Sequence, residues 1–149
     1  MRVKKTLEDV LNGKAKRGVV TADESTSMRV AVKLMATNNF GALVITSAGA
    51  PVGIVTERDV LRQAALHGEA FLDKPVSESM TRDIVVGRQE DDVEVAKAVM
   101  TEKRFRHMPI MHEGKLVGIV SIGDVVHSQL TTVEAEAIYL RDYIRGEYA

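Results

Sequence analysis

The sequence predicts an α+β fold in which one β-α-β-β-α unit occurs twice. The first observation behind this prediction is that two similar stretches occur, Gly-Ile-Val-Thr-Glu-Arg-Asp at 53–59 and Gly-Ile-Val-Ser-Ile-Gly-Asp at 118–124. The second is that the register that places Gly53 on Gly118 also pairs Phe40 with Phe105 and Ile45 with Ile110, with no gap. Self-similarity at a fixed period indicates a repeated structural unit, so the function should be sought in what the two copies form together.

The composition limits the classes of protein to which the chain can belong. Its 149 residues can form one ordinary core, or two half-size units that share one. Cysteine is absent, which excludes disulfides, a thiolate nucleophile and a thiolate metal site. The net charge is −1 and the charges are mixed along the chain, which argues against nonspecific nucleic-acid binding. No apolar run approaches the ~20 residues of a membrane helix and no signal peptide is visible, so we expect a cytoplasmic protein.

The first residues, 1–18, predict a short N-terminal helix and a connection. Thr6-Leu7-Glu8-Asp9 has the pattern of a capping box, and Gly13 is a stop signal. One side of this helix is apolar and consists of Val3, Leu7, Val10 and Leu11. We expect residues 14–18 to form an exposed connection.

The first repeat is predicted at 19–68. It begins with a β-favouring run at 19–21, and an amphipathic helix follows the polar residues 23–27. The apolar side of that helix consists of Val30, Ala31, Leu34 and Met35. Apolar β runs at 42–46 and 52–56 flank a hairpin turn that contains Gly49. A second helix is predicted from Glu57 to His67, where Gly68 ends it.

The second repeat is predicted at 84–130 in the same order, after a linker at 69–83. Its first helix carries Val93, Ala96, Val99 and Met100, and its hairpin turns at 112–114. Further on, apolar residues follow one another at steps of four and three, namely Val126, Leu130, Val133, Ala137, Leu140 and Ile144. This spacing predicts a C-terminal helix at 131–149. The helix either folds back onto the protein's own repeats or N-terminal helix, or contributes to a dimer interface.

Each repeat contains a polar corner where its last strand ends and a helix begins at once. The corner residue is Thr56 or Ser121, and an aspartate follows three positions later, Asp59 or Asp124. Backbone amides at a helix start accommodate phosphate oxygens, a hydroxyl can donate to them, and a carboxylate can accept hydrogen bonds from ribose hydroxyls. The same pattern is also a capping box, which satisfies the helix start and binds no ligand.

Basic side chains precede the middle strand of the second repeat. Arg104, Arg106 and His107 can form a phosphate clamp, in which arginine supplies a fixed fork of donors and histidine a pH-dependent one; the alternative is a solvated strand edge. We find no nucleophile elbow, Walker loop, dinucleotide motif or metal-ligand spacing, so we expect neither an enzyme nor a metal site.

These features together resemble a known family. Two units of about 60 residues, each ending in Gly-hydrophobic-hydrophobic-Ser/Thr-x-x-Asp, are similar to a tandem pair of CBS (cystathionine β-synthase) domains, a Bateman module. The stretch Val76-Ser77-Glu78-Ser79-Met80-Thr81 is similar to the family's usual opening of a second repeat. The resemblance implies two repeats related by pseudo-twofold symmetry, with their sheets packed together and their helices outside. It implies two clefts between the repeats.

The resemblance also implies which residues bind the ligand. It places phosphate and ribose contacts on Thr56 and Asp59 in the first repeat and on Ser121, Ile122 and Asp124 in the second. It places the adenine-lining backbone at 19–22, which includes Val20, Thr21 and Ala22, and at 84–87, which includes Val85 and Val86. The basic positions that face the phosphates correspond to Arg106, His107, Met108 and Pro109. In the first repeat Gly41-Ala42-Leu43-Val44 stands there instead, so Arg58 or the partner repeat would have to supply the cation.

The function implied is that of a small stand-alone regulatory protein. Its ligand would be adenosine-containing, namely AMP, ADP, ATP, NAD or S-adenosylmethionine, and it would require no cofactor. Binding would change the angle between repeats or protomers, and an unknown regulated protein would read that change, as in nucleotide or energy sensing. The family often forms flat homodimers. The alternatives are a structural or protein-docking module without a ligand, a nucleotide hydrolase or transferase, and a nucleic-acid-binding protein.

Overall fold

The computed structural model describes residues 4–14 and 19–130, together with residues 137, 140, 141 and 144. A short helix α1 (Leu7–Asn12) precedes the first repeat, which consists of β1 (Thr21–Asp23), α2 (Met28–Asn38), β2 (Ala42–Ser47), β3 (Ala50–Thr56) and α3 (Glu57–His67). Two short 3₁₀ segments, Gly68–Asp73 and Val76–Glu78, follow. The second repeat consists of β4 (Gly87–Arg88), α4 (Val93–Lys103), β5 (His107–His112), β6 (Lys115–Ser121) and α5 (Ile122–Gln129).

The two repeats form two separate three-stranded sheets with the same topology. In each sheet the middle strand pairs in parallel with the first strand and antiparallel with the third. Ala42 pairs with Thr56 in the first sheet, and His107 pairs with Ser121 at the matching position of the second. The α+β fold and the duplication, in the register read from the sequence, are therefore confirmed. Both first strands begin two or three residues later than the β-favouring runs predicted.

The hairpin turns repeat the same backbone geometry. Ala48 and Gly49 have φ values of 51° and 82°, and Glu113 and Gly114 have φ values of 49° and 75°. Two successive positive φ values between antiparallel strands match the right-handed twist of the strands. The predicted turns are confirmed, and each has a glycine at its second central position.

The helices α2 and α4 each bury one side against their own sheet. In α4 the buried residues are Val93, Ala96 and Met100, as the spacing predicted. In α2 they are Met28, Ala31 and Met35, whereas Val30 is 48% exposed, so the prediction of Val30 as a core residue was wrong. The helix begins at Met28, whose N–H donates to Lys74 O at 2.8 Å, and packing with Val76 holds Met28 rather than Val30 on the inner side.

The opening segments of the two repeats are exchanged. Leu7 and Val10 of α1 belong to the core of the second repeat, while Val76 and Met80 belong to the core of the first. The backbone contacts match: Leu7 N–H donates to Asp91 O at 3.0 Å, and Val76 N–H donates to Thr26 O at 2.8 Å. Each repeat is thus completed by a segment that precedes the other.

The exchanged segments do not follow the register of the repeats themselves. Thr26 and Asp91 are counterparts in the register that pairs Gly53 with Gly118. In that register Leu7 would fall on Leu72, but the backbone contacts make Val76 its counterpart. The opening segments are therefore equivalent in space and shifted in sequence.

The segment at 69–83 also contributes to a core. Phe71, Val76 and Met80 are 5%, 0% and 8% exposed and pack with the first repeat. The prediction treated this segment as a linker on composition alone, and three buried apolar side chains make it part of the packing.

The C-terminal stretch is only partly described. Val126 is 51% exposed on α5, and residues 137, 140 and 144 are helical with exposed side chains. Val133 and Val3 lie outside the described residues, so the predicted seam stays a prediction. No helix of the described part of the chain combines the length and apolar character needed to cross a membrane.

Candidate functional site

A cleft with a volume of about 1060 Å³ lies between the two repeats. Residues from both repeats and from the N-terminal segment line it. The second repeat contributes His107, Ser121 and Asp124, the first contributes Val20, Gly41 and Ala42, and the end of α1 leads into it at Lys14. A cleft of this size between two structural units is a common location for a small-molecule site.

The corner at Ser121 is built as a capping box. Ser121 N–H donates to Asp124 Oδ2 at 2.8 Å, and Asp124 N–H donates to Ser121 Oγ at 3.0 Å. Lys14 Nζ donates to the same Oδ2 atom at 2.7 Å. Among the described residues the hydrogen bonds from Ser121 N–H and Lys14 both reach Oδ2 of Asp124. The side chain of Ser121 also hydrogen-bonds to this carboxylate. The cap therefore engages Oδ2 and leaves Oδ1 on the wall of the cleft.

The corner at Thr56 is built in the same way but lies elsewhere. Thr56 N–H donates to Asp59 Oδ2 at 2.9 Å, and the Thr56 hydroxyl also donates to that atom, at 3.1 Å. Neither Thr56 nor Asp59 lines the large cleft. The capping alternative is thus a structural fact at both corners, and the two corners differ in that the one at Ser121 lines this cleft whereas the one at Thr56 does not.

Lys14 is the cation held closest to the Asp124 carboxylate. Its Nζ atom also donates to the backbone oxygen of Ile119 at 2.8 Å, and its side chain is 35% exposed. The prediction of an exposed connection at this residue was wrong, because two acceptors draw the side chain into the cleft. Lys5 also lines the cleft, and its Nζ donates to the backbone oxygen of Ser128.

The ion pair with Lys14 also fixes the charge of Asp124. Burial raises the pKa of this carboxyl, but the hydrogen bonds from Lys14 and Ser121 and the charge of Lys14 lower it more, so it lies below its ordinary value. Asp124 is therefore ionised at neutral pH and is a strong acceptor on the cleft wall.

His107 contributes a neutral ring to this cleft at neutral pH. Burial lowers the pKa of His107 below its ordinary value, although the carboxylates of Asp124 and Glu57 act in the opposite direction. A Cβ atom placed on Gly41 would lie 3.3 Å from His107 Nε2, so a glycine at 41 leaves room for this ring at the junction of the repeats. The ring can accept or donate one hydrogen bond but supplies no fixed positive charge.

The structure brings only four of the predicted site residues to this cleft, namely Val20, His107, Ser121 and Asp124. Thr21, Arg58, Val86 and Arg106 are exposed elsewhere, and Ala22, Met108 and Pro109 are buried, with Ala22 and Met108 in the two cores. Val85 and Ile122 are half-buried against the second core. Arg106 does not line the cleft, and Arg104 is an exposed helix end with a φ of 59°. The predicted arginine clamp is therefore not assembled at this cleft.

Sequence reasoning missed Lys14 and Lys5 because the exchanged segments are shifted relative to the repeats. The register of the repeats aligns Lys14 with Ser79, whereas the backbone contacts align it with Asp83. Among the described residues no group of three or more metal-binding side chains is placed to hold an ion.

The geometry defines a tandem-repeat α+β module with a cleft between its halves. The sequence model of the CBS domain matches residues 7–65 and 76–130, and the chain belongs to the CBS-domain family. Each match begins within an exchanged segment. The family was correctly identified from the sequence.

Relatives of this chain are themselves CBS-domain proteins. The protein "CBS domain-containing protein CBSX3, mitochondrial" of Arabidopsis thaliana is 35% identical over 153 residues, which cover 96% of this chain and 73% of that protein. The crystal structure of a CBS-domain containing protein from Agrobacterium tumefaciens superimposes with a TM-score of 0.77 at 37% identity, over 83% of this chain and 92% of that chain.

A more distant structure has bound ligands. The CBS domain pair of protein MJ0100, in complex with 5-methylthioadenosine and S-adenosyl-L-methionine, has a TM-score of 0.74 at 23% identity, over 85% of this chain and 97% of that chain. At this identity the likeness concerns the fold alone.

Proposed function

We propose that this protein is a regulatory module that binds an adenosine-containing ligand in the cleft between its repeats and signals by a change in their relative angle. The observation that supports this most is the wall formed by Ser121 and Asp124. There a helix start, a hydroxyl group and a carboxylate oxygen not used by the cap line a cleft of about 1060 Å³. These groups are complementary to a sugar with a phosphate or another 5′ substituent.

Two further observations support the proposal. A structure of the same fold, MJ0100, binds adenosine-derived ligands. The Asp124 carboxyl is held ionised by its neighbours, and a carboxylate accepts hydrogen bonds from vicinal hydroxyls better than a neutral acid. The candidate ligands are AMP, ADP, ATP, NAD and S-adenosylmethionine, all of which share the adenosine unit. We assign these groups a binding role and no catalytic one.

Thermal unfolding with and without each ligand tests the proposal. A ligand at about 100 times its Kd should stabilise the protein by about 2.7 kcal/mol. We expect Asp124→Asn to lose most of this shift, because the hydrogen bonds to a charged acceptor, about 1.5–3 kcal/mol each, are weakened.

Asp59→Asn is the matched control for this experiment. It removes the same charge from the same kind of cap at a corner that does not line the cleft, so it should leave the ligand shift intact. Equal shifts in both variants would reject the assignment of Asp124. No shift with any adenosine-containing ligand in the unmodified protein would favour the ligand-free structural module.

We infer that the protein also forms a homodimer through its helices. Exposed apolar residues recur at matching positions of both repeats, Val30 with Val95 on α2 and α4, and Leu61 with Val126 on α3 and α5. Matched apolar positions on two pseudo-equivalent units suit a twofold interface, in which the same surface is used by both protomers. Sedimentation should give a dimer that Leu61→Glu with Val126→Glu converts to monomer. Persistence of the dimer in that variant would place the interface elsewhere.

The cellular location remains a prediction from sequence. We propose a cytoplasmic protein, because a chain without cysteine suits a reducing compartment.

A further inference from the structure

We propose that Lys14 is a specificity-determining residue of the cleft, and that it selects adenosine ligands with an anionic 5′ group over neutral or cationic ones. The inference rests on the proposed function, since it concerns the ligand of the same site. It assigns the discrimination to a residue outside the duplicated motif.

The position of Lys14 arises from a difference between the two repeats. In the first repeat the backbone of Thr81 pairs with the backbone of Ile54 through two hydrogen bonds of 2.9 Å. Ile119 is the counterpart of Ile54, but its backbone oxygen accepts from Lys14 Nζ at 2.8 Å. The regular helix α1 extends to Asn12, whereas the corresponding 3₁₀ segment ends at Glu78. After α1 the chain contacts β6 through the side chain of Lys14. After the 3₁₀ segment the chain contacts β3 through its own backbone.

The anchor at Ile119 lets Lys14 remain at the site when a ligand arrives. An ammonium group has three donors, and the described contacts use one on Ile119 O and one on Asp124 Oδ2. The third donor is available to a phosphate oxygen. Asp124 retains Oδ1 for a ribose hydroxyl, so sugar binding does not require the ion pair to break.

Among the described residues Lys14 is the cation in contact with the Asp124 carboxylate, and three other basic groups do not take its place. His107 is neutral at pH 7 because burial lowers its pKa. Lys5 is bonded to the backbone oxygen of Ser128, and Arg106 does not line the cleft. The side chain of Lys14 is 35% exposed and that of Asp124 is 25% exposed, so solvent screens their charges less than at an open surface. The sign of the 5′ group should therefore affect binding.

Isothermal titration with AMP, adenosine and S-adenosylmethionine tests the inference. We expect the unmodified protein to bind AMP more tightly than the other two. Lys14→Met should reduce the ratio of AMP affinity to adenosine affinity by about tenfold. Without Lys14 the phosphate of AMP lacks an attractive charge, while adenosine binds beside an Asp124 carboxylate that has lost its ion-pair partner. Lys14→Gln keeps a donor for Ile119 O without the charge and should behave in the same way. Lys14→Arg should retain the preference.

Lys115→Met is the control, since it removes a lysine from an exposed position of the hairpin in the same repeat. It should leave the ratio unchanged. An unchanged ratio in Lys14→Gln, or tighter binding of S-adenosylmethionine than of AMP by the unmodified protein, would overturn the role of Lys14 and leave the proposed function standing. Absence of binding by all three ligands would overturn both.

Discussion

Replacing Leu7 by alanine is expected to lower the free energy of unfolding by about 2–5 kcal/mol. Leu7 is 0% exposed and packs in the core of the second repeat, although it precedes the whole first repeat in the sequence. The substitution leaves a cavity beside Gly87, where an added Cβ atom would lie 2.8 Å from Leu7 Cδ1. Chemical denaturation at about 25 °C measures the loss.

Leu66→Ala is the matched control for Leu7→Ala. Leu66 is 72% exposed on α3 and is not one of the residues assigned to the dimer interface, so its truncation should change the free energy of unfolding by less than about 0.5 kcal/mol. Equal small effects of the two substitutions would show that α1 does not belong to the second core. The result therefore tests the exchange of opening segments directly.

Replacing Gly53 by alanine should destabilise the protein by about 1–3 kcal/mol. An added Cβ atom would lie 2.5 Å from Met80 Sδ and 3.1 Å from the backbone oxygen of Thr81. Thr81 is held there by two hydrogen bonds to Ile54, so the backbone cannot move away without loss. Chemical denaturation of the purified variant gives the change, and the direction should be a lower midpoint at an unchanged slope.

Gly123→Ala is the control for Gly53→Ala. Gly123 lies in the first turn of α5, and its added Cβ atom would be 3.5 Å from Ser121 Oγ, an ordinary contact. Alanine is a better helix former, so this variant should gain about 0.5–1 kcal/mol. A double-mutant cycle with Met80→Ala should show favourable coupling at Gly53, because the smaller side chain removes the closest contact. Lack of destabilisation at Gly53 would contradict the packing role of the duplicated glycine.

Much of the fold could be predicted because the sequence signals for helix and turn boundaries in one repeat agreed with those in the other. The capping boxes, the hairpin turns and the helix from Glu57 to His67 each have a recognisable residue at their boundary, and the second copy repeated each of them. Predictions failed where a neighbouring segment decides the outcome. Val30 fits the apolar side of an isolated helix, but packing with Val76 and Met80 holds Met28 on the inner side instead.

The strand-to-helix corners of the candidate site could be predicted from the sequence, whereas the residues around them could not. The Ser121 and Asp124 motif could be read from the sequence, and so could its two alternatives, a cap or a ligand site. The structure resolves the choice of oxygens, since the cap uses Oδ2 and leaves Oδ1. The position of the Lys14 ammonium group depends on the path of the chain after α1, and the repeat in the sequence does not predict that path. The arginine clamp failed for a similar reason, because neither of its arginines lines the cleft.

The exchanged openings have a consequence for how the molecule holds together. Each half contains a piece that the other half needs to close its own interior, so neither is a free-standing thermodynamic unit. Damage to one interior exposes the other, and the two should be lost in a single cooperative event. A molecule interlocked in this way keeps its two halves from parting.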